Sequence, residues 1–428
     1  MRNAEKFKED ISMKKFLAML LALVMVLGLA ACGENTPTNE AEWPTPLPRE
    51  ARDPIEKADL KIGLICVHDI NSGYDVAHID GLTAACEALG IDVASQVIFK
   101  YNIPEDESCY DTAVDLAEAG CNIIISNSYG HQSYTMQAAS EYPDIIFVAA
   151  TGDTAAYEPV VNTVNAFPYT FQSRYVSGVV AGMKLKELMD AGTVTDPYVG
   201  YVGAFPYAEV VSGYTAFFLG IQSIVPEAHM DVTFTNSWYD PTAEGEAANA
   251  LMAKGCVIIG QHADSTGAPS AVQAQFEAGK TVFSVGYNID MLAVAPDAAL
   301  TSAQNNWSAI YTPILEHMIS GEVMPADVAL GAENDGVMIS TLGPNCAEGT
   351  QEKVDEVWGK LKDGSLKVFD TANFTVDGEK VTTFMALDMN GDFVGDIGEA
   401  IVDGVFEESV IRSAPYFSLR IDGITELN

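Results

Sequence analysis

The side chains able to do chemistry in this chain stand directly after short apolar runs. His68 and Asp69 follow LKIGLICV, Ser128, Tyr129 and Gly130 follow CNIIISN, and Phe205 and Pro206 follow YVGYVGA. Trp238 and Asp240 come after VTFTN, Gln261, His262 and Asp264 after CVIIG, and Tyr287, Asn288 and Asp290 after TVFSVG. The set is rich in rings and hydrogen-bonding groups and holds almost no basic residue. That mixture suits capture of a flat, neutral, heteroaromatic or hydroxylated molecule, with rings stacking and carboxylates or amides gripping its edge. Anionic substrates such as phosphates are poorly served. A solvated loop explains a single polar member such as His68 equally well. Large aromatics at loop positions, Trp238 and Tyr74 above all, point to a ligand, with core packing as the competing account of Trp238.

Catalytic signatures are lacking. No GxSxG, HExxH or GxGxxG occurs, and the six histidines show no ligand spacing. GKT at 279–281 precedes a strand-like run, whereas a phosphate-binding loop follows one. DMNGDFVGDIGE at 388–399 places Asp388, Asn390, Asp392 and Glu399 as in a calcium loop, but Phe393 occupies the position that the sharp turn reserves for glycine. No metal or cofactor is expected, and no enzyme. Of the seven cysteines, Cys66, Cys121 and Cys256 lie in strand-like runs and Cys86 in a helix-like one. They read as small buried hydrophobes, although an exported protein also permits disulfides.

From residue 59 onward, continuous apolar runs alternate with stretches of helical periodicity. That rhythm predicts an α/β fold with parallel sheets covered on both faces, in which ligands bind outside the carboxyl ends of the strands. The runs are too many for one ordinary sheet, so two lobes are expected. The length of 428 residues likewise exceeds a single core.

A formal charge of −38 argues against nucleic acid as a partner. Near the N-terminus, Lys14 and Lys15 precede an apolar run from Phe16 to Ala31, and Leu29-Ala30-Ala31-Cys32-Gly33 closes it. This is the layout of a secretory signal, and the run is shorter than the ~20 residues of a membrane span. Cys32 stands where a bacterial lipoprotein signal places its lipidated cysteine, and Met13 is an alternative start. Residues 34–58 hold five prolines without apolar periodicity and are expected to form an extended tether.

Several segments in order carry a family resemblance. They are Gly73-Tyr74-Asp75-Val76-Ala77-His78-Ile79-Asp80-Gly81, ATG (150–152), SRYVSGVVAG (173–182), VGAFPYAEV (202–210), NSWYDP (236–241), QHADS (261–265), GYNIDM (286–291) and APDAALTSAQNNW (295–307). Over residues 59–368 the chain resembles the basic membrane protein family of lipoproteins, the substrate-binding subunits of ABC importers for purine nucleosides and related compounds. The resemblance implies a type I periplasmic-binding-protein fold, with two doubly wound lobes, three crossovers and a ligand cleft. After the signal peptide at 1–31 and the lipidated Cys32 with its tether to 58, it implies one lobe from 59–165 and 290–320, and a second from 166–289 and 321–368. Residues 369–428 are expected to be a β-rich appendage packed on a lobe, ending in a strand.

The resemblance further implies that Tyr74, in place of the family's usual tryptophan, stacks on the ligand's base. Asn288 stands where nucleoside-binding relatives carry an acid for the ribose diol, with Asp290 two positions later. Both departures from the family, the amide and a missing lysine in TSAQNNW, favour a free base or another ring. Tyr74 and Trp238 would sandwich the ring, with Asp75, Ser128, Tyr129, Phe205, Asp240, His262, Asp264 and Tyr287 completing the site. The expected molecule is a monomer on the outer face of a membrane that delivers ligand to ABC permease subunits. A sensor for a membrane signalling system, or a binder of a flavin-like ring, remains open as an alternative.

Overall fold

Alternation of buried apolar strands with helices builds two layered sheets. The computed structural model describes residues 48–155, 160–387 and 395–428, all within one compact unit. The signal segment, Cys32 and the tether before residue 48 lie outside the described residues, as does most of the calcium-like loop.

The first lobe runs through β1 (Ile62–Ile65), α1 (Gly73–Leu89), the short α2 (Val93–Gln96), β2 (Val97–Lys100) and α3 (Glu107–Glu118). It continues with β3 (Ile123–Ser126), α4 (Gln132–Glu141), β4 (Ile146–Ala150) and β5 (Thr163–Ala166). The chain then crosses into the second lobe with α5 (Thr170–Asp190), β6 (Tyr198–Gly203), α6 (Ala208–Gln222), β7 (His229–Phe234), α7 (Pro241–Lys254), β8 (Ile258–His262), α8 (Gly267–Glu277), β9 (Phe283–Tyr287) and β10 (Ala299–Asn305). A second crossing leads to α9 (Trp307–Ser320), which packs on α1, and to β11 (Asp327–Val328). A third returns through β12 (Val337–Ile339) to α10 (Thr350–Lys362).

The first sheet has the order β11-β5-β4-β3-β1-β2, parallel throughout. Strands β1, β3, β4 and β5 are buried along their whole length, as sheets covered on both faces require. Order reverses at β1, the switch point where ligands of such sheets gather. The second sheet contains β12-β10-β9-β8-β6-β7, parallel except for β12 against β10. This corrects two expected boundaries. Residues 299–305 belong to the second sheet, and residues 327–328 form the edge of the first. Both strands are short of distinguishing pattern, and only their neighbours decide which sheet they complete. Close packing of α5 on α6 needs bare backbone: a Cβ on Gly178 would meet the Phe217 carbonyl oxygen at 2.0 Å, and one on Gly220 the Tyr175 carbonyl oxygen at 2.2 Å.

Residues 48–58 differ from the expected free tether. They lie along the first lobe, with Arg52 N–H donating to Gly321 O (3.0 Å) and Ile55 N–H to Met318 O (3.1 Å). The Arg49 and Arg52 guanidinium groups donate to the carbonyl oxygens of Ala155, Pro143 and Asp144.

Beyond α10, two antiparallel ribbons pair β13 (Met385–Leu387) with β14 (Ile397–Glu399) and β15 (Ile401–Val402) with β16 (Val405–Phe406). The last strand, β17 (Ile424–Glu426), joins the second sheet beside β7 in parallel. Phe369, Phe406, Phe417 and Ile421 share one core with the α5 and α6 side chains, and the Phe369 and Phe417 rings stack at 4.3 Å. The six cysteines of the described residues are free, five of them buried.

Candidate functional site

Strand ends of both sheets face each other across a narrow cleft. Val67, Tyr74, Ser128, Tyr129 and Thr151 line it from the first lobe, and Glu209, Trp238, His262, Asp264 and Tyr287 from the second. Seven of the twelve expected ligand contacts are therefore brought together.

Tyr74 enters through the first turn of α1. Ser72 caps that helix by accepting the Asp75 N–H (3.3 Å), and the turn directs the Tyr74 ring inward, where its hydroxyl donates to Asn127 O (2.5 Å). The ring also meets His78 edge-on at 4.5 Å, and His78 stacks on Trp307 at 3.7 Å. On the opposite wall Trp238, half-buried, meets the Phe205 ring edge-on at 5.1 Å and packs against the second-lobe core. Phe205 thus packs on Trp238 and on Tyr207, and is not among the residues that line the cleft. Tyr129 and Tyr207 approach across the mouth, their centroids 6.4 Å apart.

Asp264 joins the two walls through its backbone. Its N–H donates to Trp238 O (2.8 Å), and its carbonyl oxygen accepts from Gly73 N–H of the first lobe (3.1 Å). The cleft is therefore closed. The Asp264 carboxyl accepts from Asn288 Nδ2 (2.8 Å), and burial, followed by the nearby acids Asp75 and Glu244, raises its pKa well above the carboxylate range. Glu209, in the first turn of α6, is pushed up to about 7 by burial, against the pull of Arg174. The His262 Nε2 lies 3.3 Å from Glu209 Oε1, and burial together with Arg174 holds the imidazole neutral. A Cβ on Gly213 would lie 2.5 Å from His262 Nδ1, so α6 can pass this ring only with glycine there. Beneath the floor, Arg174 lies over the Tyr287 ring at 3.6 Å and donates to Gln261 O (2.6 Å).

Four other expected contacts have structural tasks. The buried Asp75 carboxylate accepts from His68 N–H (3.2 Å) and Asn127 Nδ2 (2.7 Å). Burial would raise its pKa, yet the polar groups of His68, Asn127 and Ser72 prevail and lower it. Asp240 is the N-cap of α7, accepting from Thr242 N–H (3.0 Å) and Ala243 N–H (2.9 Å) ahead of Pro241. Asn288 is turned to Asp264, and Asp290 caps a short 3₁₀ turn through Leu292 N–H (2.9 Å). The Ser128 hydroxyl, which does line the cleft, donates to Glu105 (2.6 Å).

Reading the positions directly after strands missed Val67, Thr151 and Glu209. Thr151 stands in left-handed backbone at φ 63°, rare for a β-branched residue, with its buried Oγ1 unpartnered.

Comparison with known proteins agrees with this fold. Residues 60–369 match the model of the Bmp family, described as ABC transporter substrate-binding protein PnrA-like. The chain belongs to the Bmp family. It is 30% identical over 340 residues to a purine-binding protein of Brucella abortus, covering 77% of this chain and 91% of that one. It is 31% identical over 284 residues to a putative ABC transporter glucose-binding protein of Haloferax volcanii, covering 66% and 67%. Among solved structures, a solute-binding protein of Aeropyrum pernix superposes with a TM-score of 0.62 at 16% identity, over 72% of this chain and 92% of that one, which supports the type I periplasmic-binding-protein fold. As a member of this substrate-binding family, the chain is thus an extracytoplasmic solute-binding protein rather than an enzyme. No helix among the described residues is long and apolar enough to cross a membrane.

Proposed function

We propose that the cleft captures a purine base, or a nucleoside through its base, for an ABC importer. The observation that carries this reading is one cavity lined by Tyr74 from the first lobe and Trp238 from the second, with two protonatable carboxyls, Asp264 and Glu209, between them. A planar heterocycle between the rings offers π-faces to both and N–H or ring-nitrogen edges to the carboxyls, with stacking worth ~1–3 kcal/mol per base. The purine-binding relative supports the same chemistry. Because Asn288 faces Asp264 and Asp290 caps a turn, a free base is favoured over a nucleoside. Ligand touching both walls stabilises closure, and the closed form is what permease subunits engage. Lipidation at Cys32 would hold a monomer at the membrane's outer face. A sugar is the second reading, favoured by the Haloferax volcanii relative.

A thermal-shift series with adenine, guanine, hypoxanthine, their nucleosides, glucose and riboflavin tests the assignment. At 100 times its dissociation constant a ligand adds ~2.7 kcal/mol of stability. A raised Tm with a purine is expected. A shift with glucose or riboflavin alone overturns the purine reading and leaves the fold intact.

A further inference from the structure

The C-terminal segment lies beyond residues 60–369, the part that matches the family model, yet it touches a residue hydrogen-bonded to the cleft wall. Residues 406–417 are rooted in the second lobe: Phe406, Tyr416 and Phe417 belong to its core, and Phe417 N–H donates to the buried Glu408 carboxyl (2.9 Å). From that root the chain makes two contacts with the first lobe. Ser413 N–H donates to both oxygens of Asp327 on β11 (2.9 and 2.8 Å). Arg412 Nη1 lies 3.3 Å from Asp153 Oδ2, in the loop after β4. Both partners of that ion pair are mostly shielded from water, with 18% and 13% of their side chains exposed.

Asp153 is not remote from the cleft. It follows Thr151 by two residues, and the same Oδ2 accepts the hydroxyl of Tyr129 (3.1 Å), which lines the cavity. A continuous set of contacts therefore runs from the second-lobe core through Arg412 and Asp153 to a ring at the cavity wall. The two anchors differ in kind. Asp327 sits on β11, the strand that leads into the third crossover, and contacts beside a crossover are expected to shift least when lobes rotate. Asp153 sits on the cleft side, where separation of the lobes must stretch the pair with Arg412.

We propose that Arg412 is a positioning residue for ligand capture: as a latch from the C-terminal segment it holds Asp153 and Tyr129 in place and favours the closed lobes. The inference rests on the reading of the cavity as the ligand site, but not on the identity of the ligand. Opening breaks a shielded, charge-assisted contact, so the latch raises the closed population before any ligand arrives, and apparent affinity scales with that population. The latch also orders Tyr129, since its hydroxyl and the Arg412 guanidinium share one carboxylate oxygen.

The test measures lobe separation in the ligand-free, full-length protein. Donor and acceptor dyes are attached at Asp115→Cys on α3 and Lys280→Cys after α8, both exposed positions on opposite lobes. In the parent the closed distance is expected to be well populated. Arg412→Ala is expected to lower the ratio of closed to open by roughly threefold to tenfold, and Arg412→Lys to restore much of it. Asp153→Asn removes the ion pair while keeping an acceptor for Tyr129, and is expected to open the lobes like Arg412→Ala. It also serves if Arg412→Ala fails to fold. Distance distributions unchanged in the folded variants overturn the latch, whichever ligand the cleft takes. Failure of every purine in the thermal-shift series would overturn the purine assignment and leave this result standing.

Discussion

Trp238 can be judged only by separating its two surfaces. One borders the cavity and the other packs against Phe205 and the second-lobe core. Trp238→Ala is therefore expected to reduce stability and, in the folded fraction, to weaken purine binding by about 5- to 100-fold, the equivalent of ~1–3 kcal/mol of stacking. Calorimetric titration checks this, and affinity that survives while Tm falls would leave Trp238 as core alone. Its place at the cleft was legible because a large aromatic in the loop after an apolar run points to a ligand, although core packing competes as an account and holds for its other face. The tasks of Asp75 and Asp240 were less so. An Asp before Pro reads equally as a helix cap and as a ligand contact, and here the cap uses the carboxylate. Glu209 escaped notice because it is the second residue of α6, just past the strand-end loop, and only the approach of that helix brings it to the cavity.

At the scale of elements, the alternation of apolar runs with helical periods reported two parallel sheets, since buried strands and covering helices impose different periods on the chain. Sheet membership is a different matter. β10 is buried nearly throughout and lies among residues whose following helix belongs to the other lobe, so no local signal assigns it. The appendage likewise has no period of its own, because its ribbons are only two or three residues long per strand. β17 nonetheless completes the second sheet, and Tyr214 donates to Glu426 (2.6 Å) while Asn428 Nδ2 donates to Phe234 O (2.8 Å). Ending the chain after residue 421 removes these contacts and exposes the edge of β7. Such a truncation is expected to lower Tm by several degrees and to increase aggregation through the bared edge, both readable by scattering during a melt. An unchanged melt would show that the strand adds nothing to the sheet.

The whole molecule carries an unusual store of buried acid. Burial pushes Glu209 and Glu244 up to about 7, Asp327 to about 6 and Glu408 to about 8, and raises Asp264 as well. A carboxyl whose folded pKa lies above its unfolded one stabilises while protonated, so its contribution is lost as pH rises through the folded value. Buried His78, His131 and His262, lowered by burial, act oppositely and cost stability below their unfolded range. Between about pH 6 and about pH 8 the carboxyls dominate, and Tm of the ligand-free protein is expected to fall by several degrees across that window. Melts at constant ionic strength check the sign, and a rising Tm would refute it. The placement of β17 has a consequence of another kind. Its partner strand β7 ends at Phe234, and Asn428 bonds that residue from 194 positions away. The edge of the second sheet thus waits for residues 424–428 to be synthesised. A chain emerging from the ribosome can complete its first sheet once residue 328 is out, while its second sheet keeps an unpaired strand until residues 424–426 follow.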